Sequence, residues 1–97
     1  MKTITKAGKT FEVNRLGRAQ LRELRKRGVD LVQKAFRMGA KEGSVEVPIT
    51  GEELEHILDV SFPGREADLD FIGIGAQIEL VSVVISETFA QAEELKN

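Results

Sequence analysis

The last third of the chain constrains the fold more than any other stretch. From residue 74 onward, Ile74, Ile78, Val81, Ile85, Phe89 and Ala92 recur at steps of three and four, which places them on one helical face. Val84, Thr88 and Leu95 widen that face, and Leu80 and Val83 form a second one with Ala76 and Ala90. Only Glu79, Ser82, Ser86 and Glu93 make a plainly polar strip. A helix apolar around so much of its girth is either central to a core or half of an interface. Its β-branched residues are mediocre helix formers on their own, so packing has to hold it. Leu80 and Val83 are the residues expected at a subunit or client contact, within a wider set of Ile78, Leu80, Val83, Val84 and Phe89.

The other parts are shorter and supply what such a helix packs against. Residues 1–13 read as a β-hairpin: two β-rich runs, 2–6 and 10–13, flank Ala7-Gly8-Lys9, and Gly8 suits a tight turn. Asn14 is a good N-cap for a helix over 15–27, which Gly28 closes with Arg25, Lys26 and Arg27 in its last turn. A second helix is expected over 29–38, with Leu31, Val32, Ala35 and Phe36 inward and Gly39 closing it. A short strand is expected at 44–47, stopped by Pro48. Thr50-Gly51-Glu52-Glu53 has the form of a capping box and opens a helix over 52–60 that buries Leu54, Ile57 and Leu58. Phe62-Pro63-Gly64 breaks the chain, and Asp68 or Asp70 can cap a helical turn around 69–73. Leu21, Leu24, Phe36, Leu54, Ile57 and Leu58 are the expected partners of the long helix. The expected fold is a single domain over 1–97, mostly α with a small N-terminal β-hairpin (α+β), its residues 14–97 forming four to five helices.

Charge is segregated. Residues 1–41 carry +9 and residues 42–97 carry −11, although the whole chain carries only −2. Either the two halves attract each other within the fold, or opposite charges meet head to tail between subunits or draw separate partners. The strongest polar feature is the basic patch Arg15, Arg18, Arg22, Arg25 and Lys26, at the spacing of one helical face. Five cations so placed can grip phosphates, and a nucleic-acid-binding or regulatory protein using the basic helix 15–27 is the alternative reading. Against it stand the negative total charge and the lack of Trp, Tyr or any interleaved aromatic to stack bases.

Chemistry has little material. The chain has no cysteine and one histidine, which removes thiol nucleophiles, disulfides and thiolate metal sites. Glu52, His56 and Asp59 lie on one helix face, and Glu53-x-x-His56 is half of a di-metal motif whose other half is absent. Gly73-x-Gly75 before a helix suggests a dinucleotide loop, but too few residues follow Ile78 for the second strand of a βαβ unit. These glycines read instead as a flexible helix entry packed closely on a neighbour. No enzyme, metal site or cofactor is expected. The N-terminus has no apolar signal region, and the longest apolar run, over 81–85, is interrupted by Ser82, so a cytoplasmic protein is expected.

The order of parts is similar to a known group. The hairpin KTITKAGKTFEV, the Arg-rich RLGRAQLREL, the capped acidic helix TGEELEHILDVSFPG, the acidic DLDF turn and the terminal apolar helix resemble the tail assembly chaperones of long-tailed bacteriophages and prophages. The resemblance implies a small helical protein of the host-cell cytoplasm with no enzymatic role. It further implies binding to the tape measure protein, keeping its hydrophobic helices soluble, recruitment of tail tube subunits, and self-association. It carries over no individual binding residue.

Overall fold

The computed structural model describes residues 2–37, apart from the side chains of 35–37, and residues 49–89. Within these it is mostly helical, with an N-terminal antiparallel hairpin and four helices. The expected strand at 44–47 and the face positions Ala90, Ala92, Glu93 and Leu95 lie outside the described residues.

Strands β1 (Lys2–Lys6) and β2 (Lys9–Val13) pair with Ile4 opposite Phe11 and Thr5 opposite Thr10. The two-residue turn at Ala7 and Gly8 has φ of 50° and 83°, the positive pair a type I′ hairpin requires. Alternation turns Phe11 and Val13 fully inward and leaves Thr10 and Glu12 in solvent. A lone hairpin is marginal in water, and this one lies against the long C-terminal helix.

Helix α1 (Arg18–Lys26) begins three residues later than its sequence suggests. Asn14 does not cap it; Gly17 is the extended N-cap residue, and its N–H donates to Gln20 Oε1 at 2.9 Å. The preceding segment is held elsewhere: Leu16 is buried and its N–H donates to Thr88 Oγ1 at 3.0 Å. Arg15 therefore sits before the helix rather than on its face. The C-terminus follows expectation. Gly28, at φ 92°, donates to the Arg25 carbonyl at 3.0 Å, and Val29 donates to the Leu24 carbonyl at 2.8 Å. This is a Schellman motif, with its usual apolar contact supplied by the buried pair Leu24 and Val29. Because Val29 closes α1, helix α2 (Leu31–Arg37) starts later than position 29 and is capped by Asp30, whose Oδ1 accepts from the Gln33 N–H at 3.0 Å.

Helix α3 (Gly51–Ser61) carries the full capping box. Thr50 Oγ1 accepts from the Glu53 N–H at 3.2 Å, and Glu53 Oε1 accepts from the Thr50 N–H at 3.0 Å. Lys34 reaches the same carboxylate at 3.1 Å and ties α2 to α3. Burial is the largest single influence on Glu53 and pushes its carboxyl upward. The Thr50 N–H, Lys34 and the Thr50 hydroxyl together outweigh it and hold the group below the ordinary value.

Helix α4 (Glu66–Thr88) is longer than expected, because the turn at 69–73 and the helix beyond it run together. They are joined across a break at Gly73, where φ is 87° and ψ 167°. Only glycine adopts that combination readily. The freed carbonyl of Leu69 accepts from Gln77 Nε2 at 2.8 Å across the break. Neither Asp68 nor Asp70 caps the helix; Arg65 occupies the N-cap position. By length and composition alone, α4 is able to cross a membrane. Part of its apolar surface lies inside the protein: Leu69, Leu80, Val81, Val84 and Ile85 belong to the core, and 28% of the apolar stretch is buried.

The core gathers Phe11 and Val13 from the hairpin, Leu24 from α1, Ile57 from α3, and Leu80 and Val84 from α4, each at 0% or near-zero exposure. Leu80 and Val84 are thus not contact residues but centrepieces of the core, and Val83 is partly buried against it along with Phe89. Phe62 packs edge-on to Phe11 with ring centroids 5.4 Å apart. Arg65 clamps that corner: its guanidinium lies 4.4 Å over the Phe11 ring, donates to the Thr10 carbonyl at 3.0 Å and to Asp68 at 2.9 Å.

Candidate functional site

The surface left uncovered by this packing is the candidate site. Ile74, Ile78, Val81 and Ile85 do share an angular face of α4, but the core covers only the last two. Ile74 is 61% exposed and Ile78 53%, and across the Gly73 break Phe71 is 65% exposed. The face runs off the edge of the core, so one stripe serves as interior at one end and as surface at the other. Large apolar side chains this open, clustered within eight residues of chain, are the kind of feature that marks an interaction surface.

Beside them a cleft of about 500 Å³ runs between α3 and the first half of α4. Leu54, Leu58 and Leu69, all nearly buried, give it an apolar floor. Glu55, Asp59, Glu66 and Asp70 are exposed along its sides, with Ile74 at one end. An apolar floor flanked by carboxylates suits an amphipathic helix that carries cations beside its apolar stripe.

The expected basic patch is present and open. Arg15, Arg18, Arg22, Arg25 and Lys26 are all exposed, and none of them pairs with a carboxylate among the described residues. On α1, Arg18, Arg22 and Arg25 form a ridge at steps of four and three, next to partly buried Leu21 and to Val32, which is 39% exposed. The hairpin lysines behave differently. Lys2 approaches Glu87 at 3.9 Å, Lys6 meets Glu79 at 2.9 Å and Lys9 meets Asp68 at 3.4 Å. Asp68 is held below its ordinary value by its bond from Arg65, and beyond that by Lys9, against a partial desolvation. Charge segregation along the chain therefore has two outcomes: attraction within the fold for the hairpin, and on α1 a basic ridge that meets no carboxylate among the described residues.

The other sequence candidates do not assemble into a site. Glu52 and Asp59 are exposed, and Asp59 lies 3.7 Å from Arg27. His56 is half-buried, its Nδ1 without a hydrogen-bond partner. Among the described residues, no three potential metal ligands converge. Gly73 is the helix break, while a Cβ on Gly75 would meet nothing within 4 Å, so the expected close packing at these glycines is absent. Phe71 and the acidic cleft were missed from sequence. The available signal was Phe71 standing between two aspartates' worth of acidic turn and a glycine pair, where the apolar period is reset. Comparison with family models, with curated proteins and with solved structures found no match.

Proposed function

We infer that this chain is a non-catalytic interaction protein that holds an amphipathic helix of a protein partner in the α3–α4 cleft. The observation that carries the reading is the exposed set Phe71, Ile74 and Ile78 beside an apolar floor flanked by carboxylates. A partner helix would lay its apolar stripe along Leu54, Leu58, Leu69 and Ile74, with its flanking lysines or arginines beside Glu55, Glu66 and Asp70. The resemblance to phage tail assembly chaperones supports the same kind of role and makes a tape measure protein, with tail tube subunits beside it, the first partner to try, in the cytoplasm of the host cell.

The test uses a synthetic 20-residue amphipathic peptide with a leucine stripe flanked by lysines, and a control with glutamates in place of the lysines. The cationic peptide is expected to bind with a Kd in the micromolar range, on the order of 8 kcal/mol of binding free energy, and the acidic control far more weakly. Ile74→Asp with Ile78→Asp should remove the binding while leaving the fold intact. Equal binding of both peptides, or binding indifferent to the double substitution, would refute the cleft. The alternative use of the basic helix on nucleic acid predicts retardation of DNA or RNA that falls steeply with salt.

A further inference from the structure

The arginine ridge and the acidic cleft are two charged features without salt-bridge partners among the described residues, and they match each other. Each has an apolar centre: Leu21 and Val32 beside the ridge, and Leu54, Leu58 and Leu69 in the cleft. Each is charged around it. Arg18, Arg22, Arg25 and Lys26 carry no carboxylate partner, and Glu55, Glu66 and Asp70 carry no cation partner, among the described residues. Length matches as well: α1 has nine residues and α3, one wall of the cleft, eleven, so the two helices are roughly 14 and 16 Å long. Elsewhere the chain shows that it pairs cations with carboxylates where the fold brings them together, as at Lys6–Glu79 and Lys9–Asp68.

We propose that the α1 ridge of one copy docks in the α3–α4 cleft of a second copy, a head-to-tail contact between identical chains. The proposal rests on the reading of the cleft as a helix-binding groove. It adds the identity of an occupant and a consequence. Ridge and cleft are different surfaces, so the contact is heterologous, and the docked pair still presents one free ridge and one free cleft. Association therefore continues into longer assemblies unless the rotation closes a ring. A partner helix that enters the cleft displaces the neighbouring ridge, so capture of a partner and self-assembly are mutually exclusive at each cleft. A nucleic acid is less well matched to the ridge, because no aromatic side chain interleaves with its cations and its apolar neighbours Leu21 and Val32 would face phosphate.

The test uses two full-length variants: a ridge variant, Arg22→Glu with Arg25→Glu, and a cleft variant, Glu55→Arg with Asp70→Arg. All four positions are exposed, and circular dichroism checks the fold of each. Arg22→Gln with Arg25→Gln serves as a milder ridge variant should the reversal disturb α1. In sedimentation velocity at low salt, the wild-type mass should grow with concentration, and raising NaCl from 50 to 500 mM should weaken association by about tenfold or more. Each variant alone should run as a monomer. Their mixture should associate where neither variant does alone, because it contains one intact ridge–cleft pair and one in which the charges of both surfaces are reversed. Wild type that stays monomeric at every concentration, variants that associate as wild type does, or a mixture that fails to pair would overturn the proposal. So would DNA retardation that the ridge variant loses while self-association is unchanged. The cationic peptide separates the two readings: its binding to the ridge variant reports the cleft alone. Loss of that binding sinks the cleft as a groove, whereas its retention with no self-association sinks only the docking of a second copy.

Discussion

The two halves of α4 have similar apolar content and opposite fates. Beyond position 79, Leu80, Val81, Val84 and Ile85 are buried in the core, on a helix that packs against the hairpin and α3. Before it, Phe71, Ile74 and Ile78 project into solvent beside an acidic cleft. Periodicity cannot tell these halves apart, since Ile74, Ile78, Val81 and Ile85 lie on one face. What separates them is where the neighbouring elements end, while the break at Gly73 re-aims the turn that carries Phe71. An apolar stripe specifies that something covers it; the tertiary fold decides whether the cover is intramolecular.

The comparison breaks first in the buried half. Leu80→Ala should cost about 2–5 kcal/mol of unfolding free energy, because it empties a fully buried position ringed by side chains from other elements. Chemical denaturation with an unchanged m-value would measure it. Next comes the junction. Gly73→Ala forces a β-carbon into a conformation reserved for glycine, though nothing crowds it, and should cost about 1–3 kcal/mol. The same variant should lower affinity for the cationic peptide, since it moves Phe71 relative to Ile74. A cost without a change in peptide binding would separate stability from site geometry at this residue.

A smaller effect tests how the hairpin is fastened to α4. Asp68 and Glu53 both have carboxyl groups held below their ordinary values in the folded chain. A depressed folded value means that the stabilisation is present above the unfolded value and is lost as pH falls through the folded one. Stability should therefore decline below about pH 4, in the range where unfolded carboxylates take up protons. Asp68→Asn should flatten that decline and loosen Lys9 and Arg65 together, as read by thermal melts between pH 7 and pH 3. The smallest effect on stability belongs to the exposed half. Ile78→Ser should shift unfolding free energy by no more than about 0.5 kcal/mol, while reducing peptide binding and self-association.

Much of this architecture was legible in the sequence because local rules carry it. The capping box at Thr50, the Schellman glycine at position 28 and the alternation of Phe11 and Val13 all act within a few residues and appear as expected. The start of α1 was not legible. Asn14 is a sound cap, but Leu16 is drawn into the core and bonded to Thr88, a contact seventy-two residues away. The same limit explains the contact residues. Leu80 and Val83 look surplus on a helical wheel, yet the hairpin and α3 pack against this helix and supply cover that no local pattern displays. The basic patch was legible residue by residue, whereas its lack of carboxylate partners among the described residues depends on which carboxylates the fold delivers to the hairpin lysines instead.

α4 is core at one end, and at the other it carries the proposed binding surface. Hydrogen–deuterium exchange with and without the cationic amphipathic peptide tests it most directly. Added peptide should slow exchange at residues 51–59 and 66–78 and leave residues 80–88, already protected by the core, unchanged. Protection absent from 51–59 and 66–78, or appearing at 80–88 instead, would contradict the division of α4 on which the account stands.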